Sequence, residues 1–324
     1  MTATATVPAG PGPVSADHER VRALLTSGHP GRKRKDRLMT GLVWFAFALA
    51  IVPLASLLWT VVSNGIGRFD AEFLTHSMRN VYGGMDAGGA YHAILGTVLV
   101  TLGAAVISVP IGLLVAIYLV EYGRRNALAR ATTFFVDVMT GIPSIVAGLF
   151  AFALFAIFFG PGIRMGVMGS VALSVLMIPV VVRSCEEMLR LVPNELREAA
   201  YALGVPKWLT VVRVVLRTSV AGLTTGVLLA VARVIGETAP LMIAVGTTAS
   251  INQNLFGGSM MTLPVFIYDQ YKQGPVPCAA SATDCIASIN FDRAWAAALA
   301  LVLIVVVLNL LGRLVTRLFA PKGR

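Results

Sequence analysis

Long apolar runs, each ended by a short charged or glycine-rich stretch, recur from Leu38 to near the end of the chain. A helix that crosses a bilayer takes roughly 20 consecutive, mostly apolar residues. Runs of about that length lie at 38–62, 93–120, 132–159, 165–183, 218–247 and 294–312. The pattern predicts an all-α, polytopic membrane protein with six transmembrane helices. Ahead of the first run, residues 1–36 are rich in Ala, Thr, Pro and Gly and end in Arg32, Lys33, Arg34 and Lys35, with Arg37 immediately after. That composition predicts a disordered basic tail. The first run is longer than a signal-peptide core and has no evident cleavage site at its end, so it is read as an uncleaved span.

Charge fixes the expected orientation. Of the 26 Lys and Arg residues, only Arg68, Arg79, Arg164, Lys272 and Arg293 fall on one side of the alternating loops, with Arg233 inside the fifth run. The remainder share a side with both termini, which the positive-inside rule makes cytoplasmic. Composition agrees with membrane placement: 56% of the 324 residues are apolar and 13% charged, against about a quarter charged in soluble domains. A net charge of +10 in a soluble protein would raise nucleic acid as a partner. Here the basic residues flank apolar runs, and no basic and aromatic face accompanies them.

Five prolines, Pro53, Pro110, Pro143, Pro179 and Pro240, lie within or at the ends of the runs, where each removes a backbone donor and favours a kink. Of the three cysteines, Cys185 ends an apolar run and Cys278 and Cys285 share a polar loop. The close pair is a disulfide candidate if that loop faces an oxidising compartment.

Ionisable groups inside a span are costly, by roughly 3 kcal/mol on insertion scales, and ordinarily face a cavity or a partner. The fifth run holds Arg233, Glu237 and Thr238, with the first two spaced four apart as neighbours on one helix face. About 15 residues into the run, Arg233 is expected near mid-membrane. It serves either as an anion ligand, since guanidinium suits tetrahedral oxyanions, or as the internal counter-charge of Glu237. Arg183 and Glu186, at the end of the fourth run, are further candidates for the substrate path. Glu187 reads as a helix end reaching the headgroups, and Asp137 receives no role from sequence.

The polar segment 191–217 reads as a hairpin. A helix carrying Glu198, Ala199 and Ala200 stops at Gly204, and Pro206 stands near the start of a second helix with Lys207 and Trp208. Such a hairpin is shaped to dock in a partner's groove.

Glu198-Ala199-Ala200, three residues, then Gly204 resembles the EAA signature of permeases in binding-protein-dependent ABC importers. The family's signature continues with nine residues and Ile-x-Leu-Pro, whereas this chain has Val214, Val215, Leu216 and Arg217. Two further stretches, Gly141-Ile142-Pro143-Ser144-Ile145-Val146-Ala147-Gly148-Leu149-Phe150 and Ala232-Arg233-Val234-Ile235-Gly236-Glu237-Thr238-Ala239-Pro240, resemble the PstA-type permeases of phosphate importers. The resemblance spans roughly residues 90–320. It implies a MetI-like permease architecture in the cytoplasmic membrane, with Glu198, Ala199, Ala200 and Gly204 as the ATPase-coupling residues. The implied partners are a second permease, two ATPase subunits and an extracytoplasmic phosphate-binding protein, with ATP and Mg on the ATPases and no cofactor on this chain.

No Gly-Lys dipeptide occurs, so no GxxxxGK[ST] loop exists. Nor is there an HExxH or Cys/His metal spacing. No catalytic constellation is expected, and a non-transporting scaffold stays open. So do two other readings: the same architecture carrying another oxyanion or solute, and an ion-coupled secondary carrier using Glu237, Asp137 and the arginines as a relay.

Overall fold

The computed structural model describes residues 21, 30–123, 126–278 and 285–319. Among them every regular element is helical, apart from one isolated bridge between Met85 and Cys285. The chain divides into a unit over Met1–Trp59 and another over Thr60–Arg324. Most of the expected tail lies outside the described residues. Its last part does not: helix α1 runs Pro30–Gly65 and takes in the basic cluster that was assigned to the tail. Pro30 suits a first helical turn, and the Lys and Arg that follow are good helix formers with no breaker among them. Leu42, Trp44, Phe45 and Leu49 of α1 are all exposed, as lipid-facing side chains are.

In the second unit, α2 (Ala71–Thr75) is capped by Asp70, whose carboxylate accepts from the Phe73 N–H at 2.7 Å. Helix α3 (Tyr91–Ile117) continues as a π turn over Tyr118–Tyr122. Its buried residues include Ala93, Gly96, Thr97, Val100, Ala104, Ser108, Gly112 and Ala116, whereas Val98, Leu102, Val106 and Leu114 are exposed. Small residues at helical spacing on one face let a neighbouring backbone approach closely, and large ones face lipid. The neighbour is α6 (Gly166–Arg190), and Ser170 Oγ donates to Val100 O across the contact at 2.9 Å.

The third expected span is not one rod. It forms α4 (Ala127–Thr140) and α5 (Ser144–Phe159), bent by 106° at Gly141-Ile142-Pro143. Pro143 cannot donate to the preceding turn, so α4 stops there and α5 starts afresh. The fourth span is longer than expected, because α6 stays helical past residue 183 to Arg190. The fifth is also recast. Helix α7 (Asn194–Ala202) precedes α8 (Lys207–Thr210), which passes through a π turn over Val211–Val215 into α9 (Leu216–Val234). A turn at Ile235-Gly236 then separates α9 from α10 (Ala239–Ala244). Helices α11 (Leu263–Gln273) and α12 (Ile289–Phe319) complete the unit. Pro53, Pro110 and Pro179 lie inside continuous helices, so only Pro143 and Pro240 stand at breaks.

At the end where α3 begins, Cys278 and Cys285 are joined as a disulfide with Cα atoms 5.7 Å apart. Buried Arg293 donates through Nη2 to Met85 O at 2.7 Å and Ala87 O at 2.9 Å, and Arg68 pairs with Asp86. These bonds hold the loop before α3 against the start of α12 and against the segment that follows α1.

The helix that follows the first break packs on the second break. A Cβ on Gly148 of α5 would lie 2.6 Å from Pro240 Cα and 2.9 Å from Pro240 O, so the two stretches that carry the family resemblance form one close crossing. Gly148→Ala is therefore expected to destabilise the protein by about 1–3 kcal/mol through overpacking against backbone. Gly141→Ala, whose Cβ would find its nearest atom at 3.5 Å, is expected to melt close to wild type. Thermal unfolding of the detergent-solubilised protein compares them.

Candidate functional site

The hairpin begins at Pro193 and follows its sequence signals closely. Helix α7 ends where Gly204 takes a positive φ of 74°, a backbone region that favours glycine. The Gly204 N–H donates to Tyr201 O at 2.9 Å and the Val205 N–H to Ala200 O at 3.1 Å, which satisfies the last carbonyls. Pro206 then precedes α8. The second arm is the basic helix that leads into the fifth span, and it does not end near residue 217. Arg217 stands where the family's signature has proline, so nothing removes a donor there, and the helix runs on into α9.

A buried ion pair holds α7 to the end of α3. Arg197 Nη2 and Nε both lie 3.0 Å from Glu121 Oε1, with the side chains 8% and 5% exposed. The same guanidinium donates to Val192 O at 2.6 Å, Leu189 O at 3.0 Å and Asn194 Oδ1 at 3.3 Å. From the other arm, Lys207 Nζ donates to Glu121 O and stands 4.7 Å from the centroid of the Tyr122 ring. Ala200 packs inward, and Glu198, Ala199, Leu203, Gly204 and Trp208 are left exposed. Sequence reasoning missed Glu121 altogether and gave Arg197 no role. One signal was available: Glu121 is the single acidic residue between Asp86 and Asp137, at the end of an apolar run.

The candidate path residues fall into two groups. Arg183 of α6 pairs with Asp137 of α4, across the interface, and through Nη1 with Glu186 Oε2 at 2.8 Å. Glu186, 7% exposed, also accepts from Arg190 Nη2 at 2.6 Å. Asp137 thus acquires a partner that the sequence did not reveal. Glu187 is exposed.

Arg233 and Glu237 are not neighbours on a helix face. Helix α9 stops at Val234, the Glu237 N–H donates to Val234 O at 3.1 Å, and neither side chain forms an ion pair among the described residues. Arg233 is exposed, with Glu237 and Thr238 half-buried beyond the turn. The helix that carries Arg233 begins at Lys207 rather than 218, and Arg233 lies in its last turn. Gly226 of α9 packs on Ser184 of α6. Arg233 is seven residues further on, so the two arginines differ in level by about 10 Å at 1.5 Å per residue. The structure does not bring them into one cluster. Among the described residues, no group of three His, Cys, Asp or Glu side chains is placed to hold a metal ion.

Residues 108–324 match the family described as binding-protein-dependent transport system inner membrane component. The phosphate transport system permease protein PstA 1 of Mycobacterium tuberculosis (strain H37Rv) is 44% identical over 294 residues, covering 90% of this chain and 91% of the relative. PstA of Mycobacterium leprae is 45% identical over 284 residues, covering 87% and 88%. A bacterial alginate ABC transporter, solved with its alginate pentasaccharide-bound periplasmic protein, superposes with a TM-score of 0.60. That match covers 90% of this chain and 98% of the other at 11% identity, a likeness of fold alone.

Removing one partner of the Glu121–Arg197 pair strands a buried charge. Glu121→Gln is expected to lower stability by about 3 kcal/mol, against less than about 0.5 kcal/mol for Glu198→Gln on the exposed face. Unfolding of the purified protein by titrated denaturing detergent measures the difference.

Proposed function

Because this chain belongs to the binding-protein-dependent transport system inner membrane components, and among them to the PstA phosphate transport permeases, we propose that it forms part of the path by which an ATP-driven importer moves inorganic phosphate across the cytoplasmic membrane. The observation that carries this reading is identity to phosphate permeases over nine-tenths of the chain. It includes the hairpin and both stretches that meet at Gly148 and Pro240.

On this reading both termini and the hairpin are cytoplasmic, as the distribution of Lys and Arg favours. The chain pairs with a second permease and two ATPase subunits and receives phosphate from an extracytoplasmic binding protein. ATP and Mg belong to the ATPases, and this chain contributes no catalytic group and no cofactor site. The exposed tip of the hairpin, with Leu203 83% and Trp208 62% exposed, docks in a groove of an ATPase subunit. Glu198, Ala199, Ala200 and Gly204 form the coupling element, and the Glu121–Arg197 pair passes its displacement to α3.

The arginines act in sequence along the path. Arg233, without a counter-charge among the described residues, attracts the dianion on the outer side, and Glu237 with Thr238 sets the local field. Nearer the hairpin, Arg183 is already held by Asp137 and Glu186. Phosphate must compete with those carboxylates, which keeps the guanidinium from trapping it.

Radiolabelled phosphate uptake tests the reading in cells that supply the partner subunits and lack every other phosphate importer. Uptake should depend on this chain and on the ATPases and resist excess sulfate. Arg233→Gln and Glu237→Gln should each lower it by about tenfold or more, a loss of about 1.4 kcal/mol of transition-state stabilisation, with normal amounts of assembled complex. Chain-dependent uptake of sulfate would reassign the cargo. Uptake that persists without any ATPase would favour the ion-coupled carrier.

A further inference from the structure

At the hairpin end of the bundle, a cavity of about 560 Å³ lies between the end of α3, the first turns of α4, the last turns of α6 and the start of α7. Its polar wall includes Asn126, Arg130, Thr133, Glu186, Arg190 and Asn194. An account of donors and acceptors shows what the wall lacks. Both oxygens of Glu186 are taken, Oε2 by Arg183 and Oε1 by Arg190. Asn194 turns its Oδ1 to the Arg197 guanidinium, which only donates, so among the described residues its amide N–H groups remain free to donate elsewhere. Among the same residues Arg190 commits Nη2 alone. The Arg130 side chain is exposed and makes no hydrogen bond or ion pair among the described residues.

Charge points the same way. Asp137, Glu186 and Glu121 are matched by Arg183, Arg190 and Arg197, which leaves Arg130 without a counterpart among the described residues. The cavity therefore offers several unused donors and net positive charge, while its carboxylate oxygens are occupied. Planar guanidinium forks beside amide donors suit a tetrahedral oxyanion, and the volume falls in the range of small-molecule sites.

We propose that this cavity binds a phosphate group, with Arg130 and Arg190 as its charged ligands and the Asn194 amide as a neutral donor. The group is either free inorganic phosphate or the headgroup of an anionic phospholipid, since the volume admits both. The site is separate from Arg233 and does not depend on which solute the importer carries.

The test uses the assembled transporter in phosphatidylcholine nanodiscs, without nucleotide or binding protein. Equilibrium binding of radiolabelled inorganic phosphate is measured in one arm. In the other, native mass spectrometry follows retention of added phosphatidylglycerol. Arg130→Gln is compared with wild type and with Arg79→Gln, an exposed arginine away from the proposed path, each first shown to melt with the wild-type transition. The expected result is that one of the two ligands binds saturably to wild type and to Arg79→Gln, and about tenfold or more weakly to Arg130→Gln. Weakened phosphate binding identifies the free ion, and lost phosphatidylglycerol identifies the headgroup. Absence of both ligands from wild type would overturn the proposal, as would equal binding by Arg130→Gln. So would loss of the ATPase subunits from Arg130→Gln with both ligands unaffected, because Arg130 would then be a protein contact. Phosphate uptake by the same wild-type complex, reconstituted in sealed proteoliposomes with ATP and binding protein, is recorded in parallel. Its failure would undo the cargo assignment and leave this result readable.

Discussion

The geometry at the hairpin end depends on one buried ion pair, Glu121 with Arg197. Removing two charges from water is expensive, and their mutual attraction offsets it only when the remaining donors and acceptors are also satisfied. On the arginine side they are. Arg197 spends its other N–H groups on the carbonyls of Leu189 and Val192 and on Asn194, while Lys207 donates to the backbone carbonyl of Glu121. A single guanidinium thus fixes the last turn of α6, the first turn of α7 and the end of α3 against one another. An apolar pair of the same volume would pack as well, but it would not specify the angle at which α7 leaves α6. The pair's contribution is one of geometry, and the exposed tip of the hairpin owes its fixed direction to it.

Electrostatics along the proposed path follow a similar division between satisfied and unsatisfied charge. Near the hairpin, Asp137, Arg183, Glu186 and Arg190 form a chain of pairs linking α4 to α6. About two turns of helix away, Arg233 stands at a helix end with no carboxylate in contact among the described residues. An anion entering from that side meets an unpaired cation first and a paired one afterwards. That order favours attraction at entry and easy release at the hairpin side.

Much of this was legible in the sequence. The six apolar runs mark every membrane-length helix or bent pair, and Gly204 with Pro206 marks the hairpin turn to the residue, because those signals act through local backbone chemistry. What escaped was decided at a distance. Pro143 and Pro240 looked no different from Pro53, Pro110 and Pro179, yet only the first two stand at breaks, where α5 crosses α10 at Gly148. Arg233 and Glu237 read as helical neighbours because hydropathy continues to residue 247. Only the turn at Ile235-Gly236 separates them, and apolar composition does not register a turn. Glu121 and Arg197 are 76 positions apart, so no periodicity joins them, and the same holds for Asp137 and Arg183, 46 apart.

The account's central claim is that the hairpin and α3 move as one body when the partner ATPases turn over. It is tested most directly by the distance between spin labels at Leu196 on α7 and Leu114 on α3, both exposed. The measurement belongs in proteoliposomes shown to import phosphate, with and without ATP. The account predicts the same distance in both states, and a longer distance when Glu121→Gln is introduced. A wild-type distance that changes with ATP would show the hairpin moving independently of α3 and would contradict it.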